Sequence, residues 1–184
     1  MAVSDSDLIV EDGTGVVDAN TYIDRTDSAE YHRLRGNSLW AVATENDQVL
    51  ALIRATQYID TRWHFRGVIF VEDQGLIFPR ESLFYDRNGF DVSETVPEQI
   101  EDATCEYALI VLGDGVDLVD LAPIPDQSDP GSITMKREKV GPIEEETRYK
   151  ATSGLRTTLS YPLADKIITT SGYLRGDGSG GTIR

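Results

Sequence analysis

Val49, Leu52, Ile53, Thr56 and Ile59 recur at helical spacing, so the stretch from Val49 to Asp60 has one apolar face and predicts an amphipathic helix. Thr44 and Asp47 stand where a capping box would start it, with Asp in the usual Glu or Gln place. Three more helices are predicted. One covers about Arg25 to Arg35, capped by Asp24, stopped by Gly36-Asn37, and packed through Ala29, Tyr31, His32 and Leu34. The next opens at Pro97 and ends at Gly113; Ile100, Ala103, Thr104, Tyr107, Ala108 and Val111 form its stripe, which Leu109, Ile110 and Leu112 widen. The last starts at Pro162 and ends at Gly172, with Leu163, Ile167 and Ile168 apolar.

Between these helices the pattern is different. Leu8-Ile-Val10 and Val16-Val17 flank the turn-rich Glu11-Asp-Gly-Thr-Gly15, which reads as an extended arm or hairpin. Trp40 anchors the connection before the central helix. Arg66 to Thr95 is a long irregular excursion of the kind that packs down or binds something. Residues 114–131 hold Pro123, Pro125 and Pro130 among Gly and Asp and read as a linker. Beyond them Ile133, Met135 and Arg137, then Ile143, Glu145, Thr147 and Tyr149, alternate around Gly141-Pro142 and predict a β-hairpin. The expected fold is therefore mainly α: a small helical bundle with a β-hairpin and an extended C-terminal tail. Its expected divisions are a helical domain with an N-terminal arm over 1–113, an acidic linker over 114–131, and a C-terminal part over 132–184 holding the hairpin, the short helix and the tail.

At 184 residues and 40% hydrophobic content the chain is long and apolar enough to bury a core. Its net charge of -15 is uneven: residues 91–130 carry 11 acids and no base, while residues 150–184 carry 5 bases against 2 acids. The acidic block is either a solvated face or a surface that repels DNA or meets the basic tail of a neighbouring copy. No apolar run approaches the ~20 residues of a membrane span, and the acidic Met1-Ala-Val-Ser-Asp-Ser-Asp7 is unlike the basic start of a signal peptide. Cys105 is alone and falls in an apolar helical pattern, as a small core residue would.

Catalytic chemistry is not indicated. His32 falls within a helix and His64 lies between Trp63 and Phe65, neither beside a nucleophile motif. Two histidines and one cysteine lack metal-ligand spacing. Asp86-Arg-Asn-Gly-Phe-Asp91 lacks the glycine and glutamate positions of a calcium loop, and Gly176–Gly181 lacks the ending of a phosphate loop. Neither a catalytic, a cofactor nor a metal site is expected. What remains is recognition. Trp63, Phe65 and Arg66 have the composition of an interface hot spot, and they could equally cap the core. Trp and Arg could also stack on unpaired bases, but that needs a cationic groove, which the distribution of charge does not supply, and a net charge of -15 argues against it.

Glu11–Gly15, Ala19-Asn-Thr-Tyr22, Ala51–Asp60, Phe65-Arg-Gly67, Gln74-Gly-Leu-Ile-Phe-Pro-Arg80, Val96-Pro97, Lys139–Pro142 and Ile183-Arg184 occur together and in order. In this combination the chain resembles the head–tail connector (adaptor) proteins of tailed bacteriophages, whose members are often labelled DnaT-like single-stranded-DNA-binding proteins. Phe78 departs from the family's usual Trp before Pro-Arg. The resemblance implies a non-enzymatic virion protein at the neck, assembled in the host cytoplasm as a homo-oligomeric, dodecameric ring beneath the portal protein. Such a ring would extend the DNA channel, pass genomic DNA without specific binding, and offer a platform for a tail terminator or stopper protein. It implies portal or subunit docking by the tail, through Tyr173, Leu174, Arg175, Ile183 and Arg184. Trp63, Phe65, Arg66, Gly67, Gln74, Phe78, Pro79 and Arg80 would be structural or interface signatures. The alternative is a DnaT-like replication accessory protein that binds single-stranded DNA through Trp63, Phe65 and nearby arginines.

Overall fold

A computed structural model describes residues 3–81, 92–114, 136–140, 143–147 and 161–175. Five α-helices dominate these segments: α1 (Arg25–Leu34), α2 (Ser38–Val42), α3 (Glu45–Arg62), α4 (Glu98–Asp114) and α5 (Pro162–Ser171). The fold is mainly helical with a two-stranded antiparallel hairpin, as the hydrophobic pattern predicts. The short α2 is an addition; the connection around Trp40 is itself helical.

Side-chain caps set two helix starts. Asp24 accepts the Asp27 N–H at 2.8 Å to begin α1, and Thr44 Oγ1 accepts the Asp47 N–H at 3.2 Å to begin α3. α5 begins with Pro162 and stops at Gly172, whose φ of 86° is the left-handed cap that glycine adopts without a Cβ penalty. α4 packs on α3 and on α5. Val49, Leu52, Ala55 and Ile59 of α3, Ile100, Ala103, Tyr107 and Ala108 of α4, and Ala164 and Ile168 of α5 are all buried. Each large aliphatic side chain so removed from water contributes about 1.5–3 kcal/mol before entropy is counted.

α1 is tied to α4 by the Tyr31 hydroxyl, which donates to Glu106 at 2.8 Å. Ser28, Tyr31 and His32 form its buried stripe. Leu34, expected to pack, is 67% exposed, because it lies two positions past His32 and thus about 200° round the helix.

The N-terminal arm is organised by a buried carboxylate. Glu11 accepts the backbone N–H groups of Gly13, Gly15 and Val16 at 2.8–3.0 Å, and Val10 bridges Thr21 in parallel. The excursion after α3 contains a two-residue antiparallel ladder, β1 (Val68–Ile69) with β2 (Arg80–Glu81). Its continuation, including Asp86–Asp91, lies outside the described residues.

The chain divides into two compact units, Met1–Val119 with Tyr161–Arg184, and Asp120–Ser160. In the second, β3 (Lys136–Val140) pairs antiparallel with β4 (Ile143–Thr147), Val140 opposite Ile143 and Lys136 opposite Thr147. α5 packs on α4 and falls in the first unit, where its apolar stripe finds its partner, whereas the sequence pattern groups it with the hairpin over 132–184. Residues 115–131 of the expected linker, and Gly141-Pro142, lie outside the described residues.

Candidate functional site

α3 ends where Trp63 leaves helical geometry, with φ -105° and ψ 139°. The chain is then extended, and Phe65 forms an antiparallel bridge with Leu174 just past α5. The Arg66 N–H donates to the Tyr173 carbonyl and the Arg175 N–H to the His64 carbonyl, each at 2.8 Å. Extended chain sends successive side chains to opposite sides. Phe65 therefore goes inward, its ring centre 4.8 Å from that of Phe78, while His64 and Arg66 stay exposed. The Arg66 Nε donates to the Leu174 carbonyl at 2.9 Å, and Arg175 is exposed beside it in the pairing. Exposed His64, Arg66 and Arg175 thus lie along one edge, built from two segments more than a hundred residues apart, and half-buried Trp63 stands at the start of the first of them, on the side that Phe65 takes.

That edge rests on a polar network. The Trp63 indole N–H donates to the Tyr107 hydroxyl at 3.3 Å, and Tyr107 donates to Asp165 Oδ1 at 2.5 Å. Asp165 Oδ2 accepts from the Arg62 guanidinium and from the Tyr161 N–H, both at 3.0 Å. Burial and the Asp165 carboxylate push the Tyr107 hydroxyl far above its usual range, so it keeps its proton. Arg62 lies over the Trp63 ring at 4.9 Å and over the Tyr58 ring at 5.3 Å. Tyr58, Tyr107 and Tyr161 pack edge to face around the same carboxylate.

The Gln74–Arg80 signature turns out to be scaffold. Gln74 closes its own loop: Oε1 accepts the Val71 N–H, and Nε2 donates to the Leu76 and Pro79 carbonyls. Phe78 is fully buried and precedes a cis bond to Pro79, which is buried too. Arg80 donates to the carbonyls of Arg66, Gly67 and Ile77, so its guanidinium holds backbone. Burial draws its pKa down, against the pull of Tyr22 and Asp60. Asp60, at the end of α3, accepts from the Tyr22 hydroxyl at 2.5 Å and from the Ile77 N–H at 3.1 Å; burial lifts its pKa to about 6 despite those bonds.

Phe65 and Phe78 are thus core residues, and Phe65 is withdrawn from any contact with bases. Tyr173 does not belong to a projecting arm. It is buried, with its ring 6.4 Å from Phe78 and its hydroxyl donating to Gln99 at 2.8 Å. Ile183 and Arg184 lie outside the described residues. Sequence reasoning missed Tyr107 as more than a packing residue and Asp165 altogether, and it took Glu11 and Asp60 only as parts of signature segments, without their bonding roles. The available signal was a carboxylate inside an otherwise apolar helical or turn pattern, which an acidic chain hides among many others.

A family model described as "Putative DnaT-like ssDNA binding protein" matches residues 6–184. The chain belongs to this DnaT-like family. No curated protein and no solved structure matched it. The match corrects the head–tail connector reading, because the model covering almost the whole chain is one of single-stranded-DNA-binding proteins. The portal partner, the dodecameric ring, the stopper platform and the passage of DNA without binding fall with it.

Two other side chains of this DnaT-like chain sit in the core. His32 is buried against Trp40, ring centres 4.5 Å apart, and burial together with Arg35 lowers its pKa to about 4. Cys105 is fully buried; burial pushes its thiol to about 12, although Ser28 Oγ lies 3.5 Å away. Neither reaches the edge at Trp63. Among the described residues, no group of three or more His, Cys, Asp and Glu is placed to hold a metal ion, and no helix is long and apolar enough to cross a membrane.

Proposed function

We propose that this protein is a non-catalytic single-stranded-DNA-binding accessory protein, and that it meets the strand along the edge formed by Trp63, His64, Arg66 and Arg175. One observation carries the reading. The antiparallel pairing of 64–66 with 173–175 brings exposed Arg66 and Arg175 together on the stretch that half-buried Trp63 opens, in a chain whose total charge is -15. Binding to single strands needs aromatic faces for bases and cations for phosphates at the same place, irrespective of the charge elsewhere. Family membership supports the same reading.

Fluorescence anisotropy with a labelled oligothymidine at low salt tests it. The wild type is expected to bind the single strand in preference to the same length of duplex. Trp63→Ala is expected to lose about 1–3 kcal/mol, the worth of one stacked base. Equal affinity for duplex, or an unchanged Trp63→Ala, refutes this placement of the site.

A further inference from the structure

We infer that Asp165 of α5 is the positioning residue of the Trp63 stacking platform, acting through the Tyr107 hydroxyl on one side and the Arg62 guanidinium on the other. This rests on the single-strand-binding reading of the same edge.

A base-stacking side chain must be held before the base arrives, or binding bears the cost of ordering it. Trp63 stands at the point where α3 gives way to extended chain, so helix geometry does not fix it. The fixing comes from elsewhere. Its indole N–H has one acceptor, the Tyr107 hydroxyl, and that hydroxyl gives its own proton to Asp165. The direction of the chain is therefore set: indole N–H to phenol oxygen, phenol O–H to carboxylate. The second carboxylate oxygen holds Arg62, whose guanidinium lies over the Trp63 ring. Asp165 thus grips the indole by its edge and by the cation over its ring. The Arg62–Asp165 pair is mostly withdrawn from water, with side-chain exposures of 15% and 13%, so it is screened less than a surface pair. The Tyr161 N–H on the same oxygen ties the carboxylate to the first turn of α5.

The arrangement also separates two parts of the interface. Stacking depends on Asp165, whereas Arg66 and Arg175 are positioned by backbone pairing with no contact to it among the bonds described above.

The test uses Tyr107→Phe and Asp165→Asn in the full chain. Tyr107→Phe removes the hydroxyl and leaves the Asp165–Arg62 pair, so it remains informative if Asp165→Asn folds poorly. The indole N–H signals of Trp63 and Trp40 are followed by NMR in the free protein, with Trp63→Ala to assign them. Trp40 is 2% exposed and reports whether the core is intact. The Trp63 N–H is expected to exchange faster in both variants while Trp40 is unchanged. Affinity for the oligothymidine is expected to fall roughly 3- to 10-fold in Tyr107→Phe, the range of one lost hydrogen bond. The salt dependence of binding is expected to stay as in the wild type in Tyr107→Phe, which leaves Arg62 paired with Asp165. Unchanged Trp63 exchange in both variants, or wild-type affinity in both while Trp63→Ala loses it, overturns the role of Asp165 and leaves the binding reading standing. Wild-type affinity in Trp63→Ala overturns both.

Discussion

Asp60 shows how a single side chain can be both a structural latch and a source of pH dependence. It takes a hydroxyl from Tyr22 and a backbone N–H from Ile77, and so fastens the end of α3 to the arm and to the loop before Phe78. Those bonds favour the carboxylate, yet burial outweighs them, and its pKa of about 6 stands above the ordinary 3.8. Between those values the folded state holds a proton that the unfolded state has lost. Stability therefore rises as pH falls from 7 towards 4, by on the order of 2 kcal/mol from this group. Glu101 and Asp102, raised by burial and by neighbouring acids, act in the same direction. His32, lowered to about 4, acts in the opposite sense over the same interval, since below pH 6.5 the unfolded state gains a proton that the folded state refuses. The test is therefore the difference between two chains: from pH 7 to pH 5 the urea midpoint of the wild type is expected to rise relative to that of Asp60→Asn, whose side chain cannot titrate, and an equal change in both would place the effect elsewhere. None of this was legible from sequence. Asp60 closes a helix that predicts well, but only the fold places Tyr22 and Ile77 on its two oxygens.

At the scale of elements, the helices were legible because capping and periodicity are local. Thr44 and Asp47 begin α3, Pro162 and Gly172 bracket α5, and each sits where its chemistry demands. The excursion after α3 was not legible, since its order comes from contacts distant in sequence. Gly75 is the clearest case. Its N–H donates to the Val16 carbonyl at 3.0 Å, and a Cβ built on it would lie 2.6 Å from Ala19 N and 2.7 Å from Ala19 O. Both obstacles are backbone, which a rotamer change cannot relieve. Gly75→Ala is thus expected to push the loop off the arm and destabilise the fold by about 1–3 kcal/mol, the usual cost of overpacking. Chemical denaturation measures it. A change within about 0.5 kcal/mol would mean that loop and arm are not in firm contact. The same long-range dependence explains the aromatic edge. Trp63 and Phe65 are alike in sequence and fall on the same side of the extended chain, yet Phe65 is buried against Phe78 while Trp63, at the end of α3, is only half-buried beside Tyr107. Which of two such neighbours faces solvent is decided by the strand they meet, and that strand lies beyond α5.

For the whole molecule, the question is how a chain of net charge -15 can hold a polyanion. Total charge governs long-range approach, and here it opposes association at low ionic strength. Local charge governs contact. Arg66 and Arg175 are the exposed arginines of the edge, whereas Arg62 is paired with Asp165 and Arg80 is engaged with three carbonyls. Two phosphates neutralised on a single strand correspond to a slope of about -1.4 in the logarithm of affinity against the logarithm of salt. Repulsion from the acidic remainder is relieved as salt rises, which flattens the slope further. A shallow dependence, between about 0 and -1.5, is therefore expected from anisotropy titrations across 20–300 mM salt, chosen as roughly three Debye regimes. Arg175→Ala should bring the slope closer to zero by about 0.7 and leave the stacking contribution of Trp63 in place. A steep slope, on the order of -4 or beyond, would require a cationic surface far larger than this edge and would move the site away from Trp63. A shallow slope lost together with Trp63 would mean that stacking dominates, as an acidic protein that binds single strands requires.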